Sequence, residues 1–410
     1  LSNQAEVTNS SIWAGAYQIL LKAGYKDVLE SILLSKTYKK YLLNCPDEVF
    51  FYKDKVRVTQ IEKFFECPYA HFVDYGISPR EKDGAGPQAV DIGNIIHLVL
   101  ERFGKLYMAG KITSDNLESM VVSIFDNIIA SKQFSHLVYN TSSQNFFQVL
   151  KLEAIRACKA VDYQLLHGQD KLKYLEASFG SSGFAAIPNV TIEGKRPIAV
   201  VGKIDRADSW GNRIRLIDYK TSRLSGKFSL PNLYLGKKIQ LFYYLSILRD
   251  DLSIQPGGAY YMPVHREYST ENGKSTSFKL DGVSLFNESN MFAQDDQVNF
   301  EHPSSDILKF EISVSAENKK NGCYKINKKA GTWATEKQFD ALLSYAQDIL
   351  RGAINDLWNG EIRPLPISGA CSYCKYRCLC KWGTNKLMQE RKSNFSITMN
   401  DFYEEKADEV

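Results

Sequence analysis

The sequence predicts an α/β protein. Two adjacent β-branched runs, joined by a Gly211-Asn212 turn, read as paired strands. A helical pattern follows them, and three longer amphipathic patterns lie before and after in the chain. Alternating strand and helix signals of this kind mark a sheet covered by helices.

In chain order, residues 1 to about 45 read as helical. Ile12, Ala16, Ile19, Leu20 and Ala23 form one apolar face, Ser10 or Ser11 caps it, Gly24 ends it, and Val28, Ile32 and Leu33 begin another. Phe50-Phe51-Tyr52 reads as a short strand. Thr59 then caps a helix, with Glu62 completing a capping box, and Pro68 stops that helix just after Cys67. Residues 79 to 90 are a polar loop, and Asp91 to Phe103 opens a helix carrying His97 and, a turn later, Glu101. Ser114 to about Lys132 and Ser143 to about His167 are long amphipathic helices; Leu172 to Phe179 is a strand that contains Glu176. The paired strands are Ile198 to Ile204, running on to Asp208, and Arg213 to Lys220; the helix after them covers roughly Leu235 to Leu248. Gly258 to Val264 is a further strand, residues 285 to 330 are polar and loop-rich, and Thr335 to Asn359 is the last long helix.

Bulk properties exclude little. At 410 residues the chain can bury a large core in two or three domains, and its net charge of +4 confines any polyanion-binding surface to a local patch, for which Lys319, Lys320, Lys328 and Lys329 are candidates. No apolar run reaches the roughly 18 residues that span a bilayer, so no membrane partner is expected. With no secretion signal, the expected location is cytoplasmic. The chain begins at Leu1 without Met, which reads as a piece of a longer protein. Gly273-Lys274-Ser275 imitates the end of a phosphate-binding loop, but Tyr268 stands where that loop needs Gly, and its flanks look like a hairpin.

The chemistry concentrates in three strings: Gly202-Lys203-Ile204-Asp205-Arg206, Ile217-Asp218-Tyr219-Lys220-Thr221, and Gln240-x-x-x-Tyr244. The hairpin brings Asp205 and Asp218 to one end of a sheet. Asp218 and Lys220 share a strand face, and Tyr219 points the other way. Gln240 and Tyr244 share a helix face. Carboxylates suit a hard cation such as Mg²⁺, which takes phosphate oxygens and activates water, and an ammonium orients that water or neutralises charge. An isolated Asp-x-Lys, by contrast, is commonly a salt bridge on a solvated hairpin.

Together these strings resemble the PD-(D/E)xK nuclease superfamily in its RecB-like branch, with Ile217-Asp218 in place of Pro-Asp, a common departure in that branch. The resemblance implies a restriction-endonuclease-like core, a central mixed sheet flanked by helices. In such nucleases a Gly-x-x-x-His helix supplies a metal ligand, matched here by Gly93 to His97. His97, Asp205, Asp218 and the Tyr219 carbonyl would hold Mg²⁺ or Mn²⁺. Lys220 would position the attacking water, Gln240 and Tyr244 would hold the DNA strand or order the site, and Glu176 is a further candidate beside the metal.

Four of the eight cysteines, Cys371, Cys374, Cys378 and Cys380, fall within ten residues, which favours metal ligation over disulfides. Four thiolates at short spacing suit tetrahedral Zn²⁺. The resemblance implies instead a [4Fe–4S] cluster on Cys67, Cys371, Cys374 and Cys380, an Fe–S staple closing the two ends of the domain, with Cys378 outside the pattern. The six motifs in order, over Val56 to Trp382, are similar to the C-terminal nuclease region of AddB/RexB-type subunits of ATP-dependent helicase–deoxyribonucleases. That likeness implies a helical tail of a helicase-like part over 1–50, an Fe–S nuclease domain over 51–390 and a tail over 391–410. It also implies DNA as substrate, with the 5′-ended single strand cut during double-strand break repair, and an AddA/RexA-type helicase–nuclease subunit as partner. Two other readings stay open: a stand-alone Fe–S exonuclease, and a DNA-holding subunit with little cleavage.

Overall fold

The computed structural model describes residues 11–29, 42–79, 86–179, 190–191, 193–221, 228–252, 254–264, 278–299, 304–309, 312–313, 325–326, 333–380, 390–393 and 396–404. Gly273-Lys274-Ser275, Cys323, the lysines at 319, 320, 328 and 329, and Ser10, Ile32 and Leu33 lie outside these residues.

The strands are β1 (Lys55–Arg57), β2 (Lys171–Phe179), β3 (Ala199–Trp210), β4 (Arg213–Lys220), β5 (Gln255–Pro263), β6 (Asp281–Leu285), β7 (Ile312–Ser313), β8 (Lys325–Ile326) and β9 (Trp333–Ala334). Seven form one sheet in the order β1-β3-β4-β5-β6-β9, with β2 also on β3, while β7 and β8 pair separately. The sheet is mixed: β1–β3, β4–β5 and β6–β9 are parallel, and β2–β3, β3–β4 and β5–β6 antiparallel. The principal helices are α1 (Val58–Glu66), α2 (Ala89–Met108), α3 (Leu117–Ile129), α4 (Thr141–His167), α5 (Gln240–Leu252) and α6 (Glu336–Trp358). None of the described helices is long and apolar enough to cross a membrane.

Alternation along β4 divides the core in two. Ile214 and Leu216 pack with α1, α5 and α6, whereas Ile217 and Tyr219 pack with α2, α3 and α4. Helices thus cover both faces, the arrangement expected of an α/β sheet. The period puts Asp218 and Lys220 on the α1/α5/α6 face. Leu43 and the Phe50–Phe51 pair, together with Met399 and Phe402, pack into the same core as α6.

Three local expectations change. Phe50 ends a short helix, Pro46–Phe50, instead of opening a strand: Pro46 sits in its first turn with Asp47 and Glu48, and Phe51 stacks on Trp358 at 4.3 Å. Helix α1 starts at Val58 with Arg57 as its cap residue, and no side chain caps it, so the Thr59–Glu62 box does not form. Glu62 instead reaches α5, which begins at Gln240 after a short Leu230–Tyr234 helix and a turn through Gly236. The polar stretch after 285 holds a helix, Glu288–Gln294, whose cap Asn287 accepts from Asn290 N–H and which buries Met291.

Candidate functional site

The β3–β4 ladder runs from Trp210↔Arg213 to Arg206↔Ile217. Past its end, the Asp205 carboxylate takes over: Tyr219 N–H donates to Asp205 Oδ2 at 2.8 Å. On the other side of β3, Leu175↔Arg206 and Ala177↔Ile204 set Glu176 opposite Asp205. Glu176 has φ +49°, a left-handed conformation that few residues other than Gly adopt within a strand. Backbone strain of this kind gathers where a side chain must be aimed. Helix α2 lays His97 over the pair, with Nδ1 3.2 Å from Glu176 Oε1 and 3.4 Å from Asp205 Oδ1.

His97, Glu176 and Asp205 each bring a ligand atom within 4.8 Å of the others, the sole such trio among the described residues. Asp218, expected with them, lies outside that trio, yet it is close enough that its charge, after burial, holds the Asp205 carboxyl above its usual range. Burial alone would lower His97; hydrogen bonds to Asp205 and Glu176 outweigh it and raise the imidazole to about 10. For Glu176, burial is outweighed by His97 and Lys203, which lower it; Lys203 forms a close ion pair with it. One imidazole nitrogen and several carboxylate oxygens, buried and mutually repelling, are a donor set for a hard or borderline divalent cation such as Mg²⁺ or Mn²⁺.

Lys220 pairs with Asp218 Oδ2 at 2.5 Å, and that attraction outweighs burial to raise its pKa. Gln240 and Tyr244 are buried on the same face of the sheet. The Tyr244 hydroxyl hydrogen-bonds the backbone of Lys203. A Cβ at Gly202 would stand 1.7 Å from that hydroxyl, so the glycine of the Gly-x-Ile-Asp string is the space Tyr244 occupies.

Behind the site, Arg206 grips Asp208 through two bonds of 2.8 and 2.7 Å and donates to Gln164 Oε1 at 2.9 Å. Arg215 adds 3.0 Å contacts to Asp208 and Asp170. The Arg206 guanidinium also hydrogen-bonds the Tyr219 side chain, so this network holds β3 and β4 from the α2–α4 side.

Sequence reasoning missed two residues at this place. Glu62 accepts from Gln240 N–H at 3.0 Å and lies within the electrostatic reach of Lys220, Lys238 and Asp218; burial raises it to about 7. The available signal was its place between Ile61 and Phe65 on the apolar stripe of α1. Lys238, two residues before Gln240, lies over the ring of Tyr261 at 4.2 Å, with Lys220 at 5.5 Å from the same ring. Glu101 instead pairs with Lys105.

The cysteines gather elsewhere. Cys67 precedes the short Pro68–His71 helix, and burial raises its thiol above the usual range. Ile367 N–H donates to Glu66 O and Tyr69 N–H to Arg363 O, which lays 363–376 along 66–76. Burial, then Cys67, Cys374 and Cys380, push the Cys371 thiol up to about 12. No three of these thiols lie within 4.8 Å of one another, and Cys378 is exposed.

A mixed sheet with helices on both faces, and an Asp-x-Lys strand beside a His–Glu–Asp trio, are the arrangement that the resemblance to a nuclease implied. A family model described as PD-(D/E)XK nuclease superfamily matches residues 56–381, and the chain belongs to that superfamily. The chain is similar to proteins whose name makes each of them a subunit of an ATP-dependent helicase/deoxyribonuclease. It is 27% identical to that of Clostridium kluyveri over 80% of this chain and 30% of the relative. For Clostridioides difficile the figures are 22%, 91% and 34%, and for Staphylococcus haemolyticus 24%, 90% and 35%. The chain spans about a third of the length of these curated relatives.

Proposed function

We propose that this chain is the metal-dependent deoxyribonuclease part of a helicase–nuclease subunit, hydrolysing phosphodiesters of single-stranded DNA in double-strand break repair. The observation that carries the reading is the convergence of His97, Glu176 and Asp205 beside Asp218 and Lys220. The relatives' name supports DNA as the substrate and a partner subunit; the type we propose for that partner is AddA/RexA. His97, Glu176, Asp205 and Asp218, with the Tyr219 carbonyl, would hold Mg²⁺ or Mn²⁺. When bound, the ion supplies Lewis acidity and neutralises charge on the phosphate. Asp205 also keeps β4 in place through Tyr219 N–H. Lys220, oriented by Asp218, positions the attacking water and faces the developing charge. Tyr244 and Gln240 fix the backbone of Lys203 and the start of α5, and with them the floor on which the strand lies.

Cys67, Cys371, Cys374 and Cys380 would hold a [4Fe–4S] cluster. What supports that reading is the packing of the Cys67 segment against the segment that carries Cys371 and Cys374. When bound, the cluster joins segments some 300 residues apart in the chain, coupling metal to folding.

The test uses a single-stranded oligonucleotide labelled in turn at each end, incubated with Mg²⁺, Mn²⁺ or EDTA. Cleavage requires the cation, and Asp218→Asn or Lys220→Met lowers it by at least about a hundredfold at unchanged circular dichroism. Products released from the 5′ end support the 5′-ended strand. Cleavage that survives EDTA or either substitution contradicts the reading. Iron and sulfide in near-equal amounts support the cluster; one zinc and no colour contradict it.

A further inference from the structure

We propose that Lys238 is a second phosphate-binding lysine of this site, contacting a phosphodiester of the strand next to the one that Lys220 serves. The inference rests on the nuclease reading above and deepens it.

Three observations carry it. First, β4 and β5 run parallel with Asp218 in register with Tyr261, and Tyr261 shares the α1/α5/α6 core with Leu216. The Tyr261 ring therefore forms the wall beside the Asp218–Lys220 pair. Second, that one ring carries both ammonium groups, Lys238 at 4.2 Å and Lys220 at 5.5 Å from its centre. The aromatic face steadies each cation electrostatically without neutralising it. Third, Lys238 sits on the approach to Gln240, where α5 begins, so the Gln-x-x-x-Tyr helix and this lysine enter the site together.

Two lysines on one ring repel each other. Burial, then the Lys220 charge, lowers Lys238 to about 8. Glu62 and Asp218 offset part of that repulsion. An arriving phosphodiester adds negative charge beside the two ammonium groups, and Lys acts on phosphate as a point charge that needs no fixed bidentate geometry. Lys238 as a whole is half-buried.

The test compares the full chain with Lys238→Met, which keeps the aliphatic stem over Tyr261, and Lys238→Arg. Steady-state cleavage of a single-stranded oligonucleotide is measured with Mn²⁺ across a salt series. In Lys238→Met, KM rises about tenfold, by more than kcat falls. The slope of log affinity against log salt becomes shallower by about 0.7, the value for one lost phosphate contact on a single strand. Lys238→Arg restores both. An unchanged KM and slope overturn the proposal. So does a fall in kcat at constant KM, which would make Lys238 a support for Lys220. If the parent chain cuts nothing with any cation, the nuclease reading fails by itself. Fluorescence titration with labelled single-stranded DNA then decides: a shallower salt slope in Lys238→Met supports the contact, and an unchanged one overturns it.

Discussion

Gly202→Ala is the sharpest test of how the Gly-x-Ile-Asp string and the Gln-x-x-x-Tyr helix depend on each other. The new methyl would meet Tyr244 Oη at 1.7 Å and Cζ at 2.4 Å, distances no adjustment of a few tenths of an ångström relieves. Tyr244 is 1% exposed, so it cannot swing into solvent. Overpacking of this kind costs about 1–3 kcal/mol. Displacing the hydroxyl from the Lys203 backbone adds about 1 kcal/mol. Replacing a strand glycine by alanine returns about 0.5–1 kcal/mol. The balance is a destabilisation of roughly 1–3.5 kcal/mol. Urea unfolding followed by circular dichroism reads it as a lower midpoint at unchanged slope. Tyr244→Phe in the same chain removes the nearest clashing atom, so the double variant recovers at least about 1 kcal/mol of the sum of the single effects. A Gly202→Ala chain within about 0.5 kcal/mol of the parent, or strictly additive effects, would refute the reasoning.

Two further outcomes follow from buried charge. Asp208→Ala leaves Arg206 and Arg215 buried without their shared carboxylate; the loss of about 3–5 kcal/mol, read by urea unfolding, exceeds that of any single exposed ion pair. His71 is fully buried among Phe50, Phe64 and Tyr75, neither ring nitrogen has a hydrogen-bond partner among the described residues, and burial lowers it to about 3. Its folded pKa lies below its unfolded one, so its contribution is present above pH 6.5 and is lost as pH falls from 6.5 toward 3. Between pH 6.5 and 4.5 the parent chain should lose up to about 2.5 kcal/mol more than His71→Phe does, measured by urea midpoints at each pH.

What the sequence revealed was local. The Gly211-Asn212 turn and the alternation of β4 define the hairpin, and those are properties of adjacent residues. The start of α6 at Thr335, its cap residue, is likewise local, whereas α4 begins at Thr141 behind its cap Asn140, ahead of the expected Ser143. Tertiary contacts decided the rest. Thr59 and Glu62 have the spacing of a capping box, but Glu62 makes its bond 178 positions away at Gln240, and α1 begins two residues earlier than that box would have it. Glu176 was a candidate through the resemblance alone; the residues around it read as an ordinary strand. Its approach to His97 depends on the pairing of β2 with β3 and on a left-handed backbone that no residue type announces. Lys238 was invisible because its neighbour, Tyr261, comes from β5.

The central claim is that His97, Glu176, Asp205 and Asp218 form one cation site. Mn²⁺ titration of the chain, followed by electron paramagnetic resonance of the free ion, tests it without reference to cleavage. The account predicts one Mn²⁺ per chain in this site, tighter at higher pH because the ligands must shed protons. It also predicts at least about tenfold weaker binding in both Asp205→Asn and Glu176→Gln, with circular dichroism unchanged. Equal affinity in the parent and both variants would contradict it.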